Sequence, residues 1–157
     1  MSDEANALAE TIATLGSKSR PPRSFYVISA LALAWNLLGV VFYIKEVMMT
    51  EEAMAALDPA HRALMEATPS WLIGVYALAV HTGALGCLLL ILRKAWAIPV
   101  LVVSLFCIVV QMGWSMTMTR AIEVLGVGVI AQAAFITIIG AYLVWYSRRA
   151  KDNGWLS

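Results

Sequence analysis

The sequence predicts an all-α integral membrane protein, a four-helix transmembrane bundle with a short helical loop on the outer face between its first and second spans. Three observations carry that prediction. Charged residues are 13% of the 157-residue chain and hydrophobic ones 61%, where a soluble domain carries roughly a quarter charged residues. Four stretches each hold the roughly 20 apolar residues that a helix needs to cross a bilayer core. These runs also lack the polar–apolar alternation of barrel strands. Helices remain as the form that satisfies its own backbone N–H and C=O groups in lipid.

Residues 1–23, MSDEANALAETIATLGSKSRPPR, have no apolar core ahead of their basic cluster, so they do not form a cleavable signal. They read as a solvated cytoplasmic tail, in which Leu8, Ile12 and Leu15 would share one face of a short helix. The membrane domain covers 24–147, with spans at about 24–47, 70–92, 96–118 and 121–146, and residues 148–157 form a second cytoplasmic tail. Pro69 and Pro99 fall in first turns, where a missing N–H is tolerated.

Only the connection at 48–69 is long enough to hold structure. Thr50 ahead of Glu51 and Glu52, and Asp58 ahead of Pro59, are helix starts, and Thr68 ahead of Pro69 reads as a third. Two short helices, about 51–57 and 59–67, are expected along the outer surface. Met54, Ala55, Leu57, Leu64 and Met65 would rest on the headgroup boundary. The segment serves as a connector, or as a lid over whatever lies between the spans.

Orientation follows the basic residues. Lys18, Arg20, Arg23, Arg93, Lys94, Arg148, Arg149 and Lys151 fall on one side, with Lys45, Arg62 and Arg120 opposite. This predicts that both termini are cytoplasmic. Phe25, Tyr26, Trp96, Trp145 and Tyr146 fall near the inner interface, and Phe42, Tyr43, Trp71 and Trp114 near the outer, where interfacial aromatics concentrate. A net charge of +1 gives no sign of nucleic-acid binding.

Each span carries one strong polar group near mid-depth. At about 1.5 Å per residue, Asn36 lies about 18 Å from the inner end, His81 about 16 Å, and Gln111 and Gln132 about 21–22 Å. Such residues normally face a bundle interior. His81 is therefore expected to bond across the bundle with Asn36, Gln132 or Gln111, helped by Thr82 and Ser104. The band reads either as interhelical glue or as a midplane ligand site or proton relay with His81 as its titrating member. Gly39, Gly83, Gly86, Gly126, Gly128, Ala133, Ala134 and Gly140 allow close helix approach.

Methionines cluster toward the outer side. Met54, His61, Met65, Met116 and Met118 are the thioether and imidazole groups that would suit Cu(I), although methionine also fills gaps between helices. Cys87 and Cys107 read as buried hydrophobes at depths of about 7 and 15 Å, too far apart for a disulfide. No Cys-x-x-Cys, Walker loop, Gly-x-Ser-x-Gly or His-Glu-x-x-His is present. An inverted repeat with broken helices, the mark of many secondary transporters, is also missing.

The stretches ALAWNLLGV at 32–40, TPSWLIGVYALAVHTGALGCLLLILRKAWAIPVLVVSL at 68–105 and the closing WYSRRAKDNGW resemble a family of small four-helix inner-membrane proteins of Gram-negative bacteria, often labelled "sugar transporter". The resemblance covers about residues 24–155. It rests on the Trp35-Asn36 pair and the Pro-x-Trp opening of the second span, Pro69 and Trp71. Smaller residues are usual at the polar position of that span, so His81 departs from the pattern. The resemblance implies a bacterial inner membrane and this topology.

The expected role is a non-enzymatic accessory or assembly subunit, packed in the lipid bilayer against a larger membrane complex or a second copy of itself. The alternative is a small-solute (sugar included) transporter or binding protein using Asn36, His81, Gln111 and Gln132. Outer-face Cu(I) binding comes third. No cofactor is expected. An enzyme acting on a lipid or quinone is disfavoured because His81 has no acidic partner at its depth, with Glu46 and Glu123 near the outer ends of their spans.

Overall fold

The computed structural model describes residues 20–118 and 126–157. Helix α1 runs Arg23–Val47, α2 Glu51–Ala55, α3 Pro59–Glu66, α4 Ser70–Ile91, α5 Ala97–Met118 and α6 Gly128–Asp152. The four long helices are apolar and long enough to cross a membrane, the arrangement of a multi-pass membrane protein. Residues 1–19, Arg120 and Glu123 lie outside the described residues.

The loop helices form where their caps place them. Thr50 Oγ1 accepts from Ala53 N–H at 3.2 Å, and the Asp58 carboxylate accepts from Ala60 N–H at 3.0 Å and His61 N–H at 3.4 Å, with Pro59 in the first turn. Each cap satisfies an N-terminal donor that has no partner within its helix. Arg62 then ties the pair together. Its Nε donates to Met54 O at 3.0 Å, and its Nη2 donates to Ala55 O. Thr68 differs from the expected cap of α4. Its hydroxyl donates back to Leu64 O at 2.9 Å and closes α3, while Pro69 sits in extended backbone ahead of α4.

The last span is shifted from its predicted bounds of 121–146. Gly126 takes a left-handed φ of 75°, and α6 begins only at Gly128. At its other end the helix passes through Arg148, Arg149 and Lys151 to Asp152, so half of the expected C-terminal tail is helix. Basic side chains in a last turn complement the helix dipole and extend from apolar surface toward water, so they do not end the helix.

The helices pack in chain order, α1 on α4, α4 on α5 and α5 on α6. Small residues set the spacing. The Leu101 side chain occupies the space a Cβ would take at Gly86. Helices α1 and α6 meet through rings, Phe25 with Tyr146 at 6.1 Å and Trp35 with Phe135 at 5.6 Å between centroids. Outward-facing side chains are apolar, Leu31 being 67% exposed and Phe106 68%, as a lipid-facing surface requires.

The core gathers at the end carrying most of the basic residues, called here the basic end. Phe25, Leu90, Cys87, Leu101, Leu143 and Ala150 are buried there in one cluster. Both helix ends at this level close with paired Schellman bonds. Lys94 N–H donates to Leu89 O and Arg93 N–H to Leu90 O. Trp155 N–H donates to Ala150 O and Gly154 N–H to Lys151 O. Arg93 holds the left-handed position with φ 58°, a conformation that disfavours any residue with a Cβ. Local bonds compensate. Arg93 Nε donates to Trp155 O at 2.8 Å, its carbonyl accepts from Ser157 N–H, and Ala95 N–H donates to Ser157 O.

Candidate functional site

Above this packed end the four long helices separate around a cavity of about 430 Å³. Its walls include Asn36 of α1, Ser104 and Gln111 of α5 and Gln132 of α6, set among apolar side chains such as Ile108 and Ile139. Trp35, Phe42, Tyr76 and Phe135 contribute rings. A second cavity of about 330 Å³ lies toward the opposite, loop-bearing end, bounded by His61 and Met65 of α3 and by Ser115 and Met116 of α5. Glu46, Gln111, Met112 and Gln132 line both. The two spaces thus adjoin along one polar seam.

Asn36 is fixed at the base. Its Nδ2 donates to Ala32 O at 2.8 Å on its own helix and approaches Cys87 Sγ on α4 at 3.4 Å. Its Oδ1 occupies the place of a Cβ at Gly83. Ser104 Oγ, which approaches the same Cβ position of Gly83, donates to Ala79 O at 2.7 Å. Gly83 is what lets an amide from α1 and a hydroxyl from α5 meet against α4. Asn36 therefore does bond across the bundle, though its partner is Cys87. Both cysteines are buried and free.

His81 is not in the band. It is exposed, its Nδ1 donates to Ala77 O at 2.7 Å within its own helix, and its ring stands edge-on to Tyr43 at 5.6 Å. It lines neither cavity. The reason is rotation rather than depth. The inward face of α4 is Ala79, Gly83, Gly86 and Leu90. His81 lies two residues from both Ala79 and Gly83, which is about 200° around the helix. Thr82 likewise donates to its own helix, at Leu78 O.

Glu46 is the wall residue that depth counting passes over, because it lies at the far end of α1. Face counting finds it, since Asn36, Gly39, Phe42 and Glu46 recur at spacings of three and four and so share one stripe of α1. The same rule groups Ser104, Ile108 and Gln111 on α5 and Gln132, Ile136 and Ile139 on α6. Of the soft-ligand candidates, His61, Met65 and Met116 share the second cavity with Met112, whereas Met54 is not in its wall. The Met118 side chain lies outside the described residues. Among the described residues no group of three or more His, Cys, Asp or Glu side chains is placed to hold a metal ion.

Such a cavity has the dimensions and composition of a small-molecule site, with mostly apolar walls and a few convergent polar groups. Comparison with protein-family models, with curated proteins and with solved structures finds no match to this chain.

Proposed function

We propose that this chain is a membrane-embedded binding protein for a small amphipathic molecule, which it holds between its spans. The observation that carries the reading is the cavity itself. Amide side chains from α1, α5 and α6 line one mostly apolar space of about 430 Å³, which shares Leu101 and Leu143 with the buried cluster at the basic end. A free sugar is a poor occupant. Each of its hydroxyls would need a partner on losing water, and these walls are mainly hydrocarbon and aromatic. A molecule with an apolar body and one or two polar groups matches them.

The excess of basic residues at one end supports a cytoplasmic placement of both termini, and the sequence resemblance supports a bacterial inner membrane. The exposed apolar faces do not favour an accessory subunit over a freestanding protein, since lipid covers them equally well.

The test is thermal stability of the detergent-purified protein with phenylpropanol, a neutral amphipath of suitable size. A ligand that binds only the folded state raises Tm with concentration. Wild type should show that rise, and Ile136→Trp, whose indole would fill the cavity, should not. Equal behaviour of the two proteins overturns the reading.

A further inference from the structure

The charge pattern of the walls narrows the ligand class. Among the described residues Glu46, an exposed side chain near the end of α1, is the only carboxylate lining either cavity and lines both, and no lysine or arginine lines them. The nearby cations are turned elsewhere. Arg62 donates its guanidinium N–H groups to Met54 O and Ala55 O, and Lys45 is absent from both walls. Among the described residues the basic group that does line the second cavity is the imidazole of His61, which interacts electrostatically with Glu46. The polar groups deeper in the first cavity, Asn36, Ser104, Gln111 and Gln132, are neutral.

A carboxylate at the edge of an apolar cleft attracts a cation and repels an anion. Aromatic rings add to the same preference, because a cation over a ring face meets the negative side of its quadrupole. Trp35, Phe42 and Tyr76 share the first cavity with Glu46.

We infer that the cavity selects amphipathic amines, with the ammonium group at Glu46 and the apolar body directed down toward Asn36 and Ile139. This rests on the binding reading above. It adds a sign of charge and a residue that reads it.

A matched series tests it on the full-length protein in detergent at neutral pH: phenylpropylamine, which is cationic, phenylpropanol, which is neutral, and phenylpropanoate, which is anionic. The amine should bind roughly tenfold more tightly than the alcohol, the size of effect expected when a hydrogen bond becomes charge-assisted, and the propanoate more weakly than both. Glu46→Gln should bring the amine to within about twofold of the alcohol while leaving alcohol binding in place. Glu46→Asp, which keeps the charge, should retain the preference and checks that the effect is not one of folding. Equal binding of amine and alcohol to wild type, or an amine preference that survives Glu46→Gln, overturns the inference alone. Failure of all three compounds to stabilise the protein overturns the binding reading and the charge preference with it.

Discussion

The two ends of the bundle are built on opposite terms. At the basic end Phe25, Cys87, Leu90, Ala97 and Ala150 are fully buried, Phe25 is flanked by Tyr26, Tyr146 and Trp155, and two Schellman turns are bonded to each other. Toward the loop end the same helices leave space, and the short helices α2 and α3 bury no residue. In lipid, helix association depends on close packing and interhelical hydrogen bonds more than on the hydrophobic effect. One tightly packed end therefore suffices to hold four helices together, and the other end is free to keep a cavity. Tight packing and open space are thus separated along the bundle.

That separation is most easily broken at Phe25. Phe25→Ala removes the ring at the centre of the packed end and should cost about 3 kcal/mol, read as a lower midpoint of unfolding in mixed micelles. A change below about 1 kcal/mol would mean that this end is not the anchor. Gly83→Val tests the boundary between the two regions. Its side chain takes the place of Asn36 Oδ1, so a loss of about 1–3 kcal/mol is expected, together with weaker ligand binding as Asn36 is displaced.

Ser29 sharpens the picture in the opposite direction. Its side chain is fully buried at the packed end, and its hydroxyl has no hydrogen-bond partner. Ser29→Ala should leave stability unchanged or raise it by up to about 1 kcal/mol, since an unsatisfied polar group is removed without opening a large void. Smallest of all is His81→Leu. Among the described residues the ring bonds to its own helix and packs at right angles to Tyr43, so a change within about 0.5 kcal/mol and no loss of phenylpropanol binding are expected. A collapse of binding in that variant would return His81 to the site.

How far the sequence was legible depends on which property is asked of it. Length and apolarity located all four spans, because lipid leaves a helix as the only way to satisfy the backbone of such runs. Caps at Thr50 and Asp58 located the loop helices, since a short side chain placed ahead of a helix has a specific donor to meet. The start of α6 was not legible. Gly126 and Gly128 sit in an apolar run that hydropathy alone reads as continuous span, and only the left-handed φ at Gly126 marks the break. The site was half legible. Depth grouped Asn36, Gln111 and Gln132, but it admitted His81 and passed over Glu46, because depth carries no information about rotation around a helix. Following the three-and-four stripe from Asn36 along α1 would have reached Glu46 without a structure.

A ligand-binding cavity requires that small solutes reach one face of α5 at mid-depth but not the neighbouring face. Ile108 lines the cavity, while the next residue, Val109, is 51% exposed and absent from both cavity walls. With Cys87 and Cys107 replaced by alanine, Ile108→Cys and Val109→Cys should be compared in proteoliposomes for modification by a membrane-impermeant thiosulfonate carrying a quaternary ammonium. Ile108→Cys should be modified and protected by phenylpropylamine, whereas Val109→Cys, facing hydrocarbon, should not be modified. Equal reactivity at the two positions, or no reactivity at Ile108→Cys, would contradict that requirement.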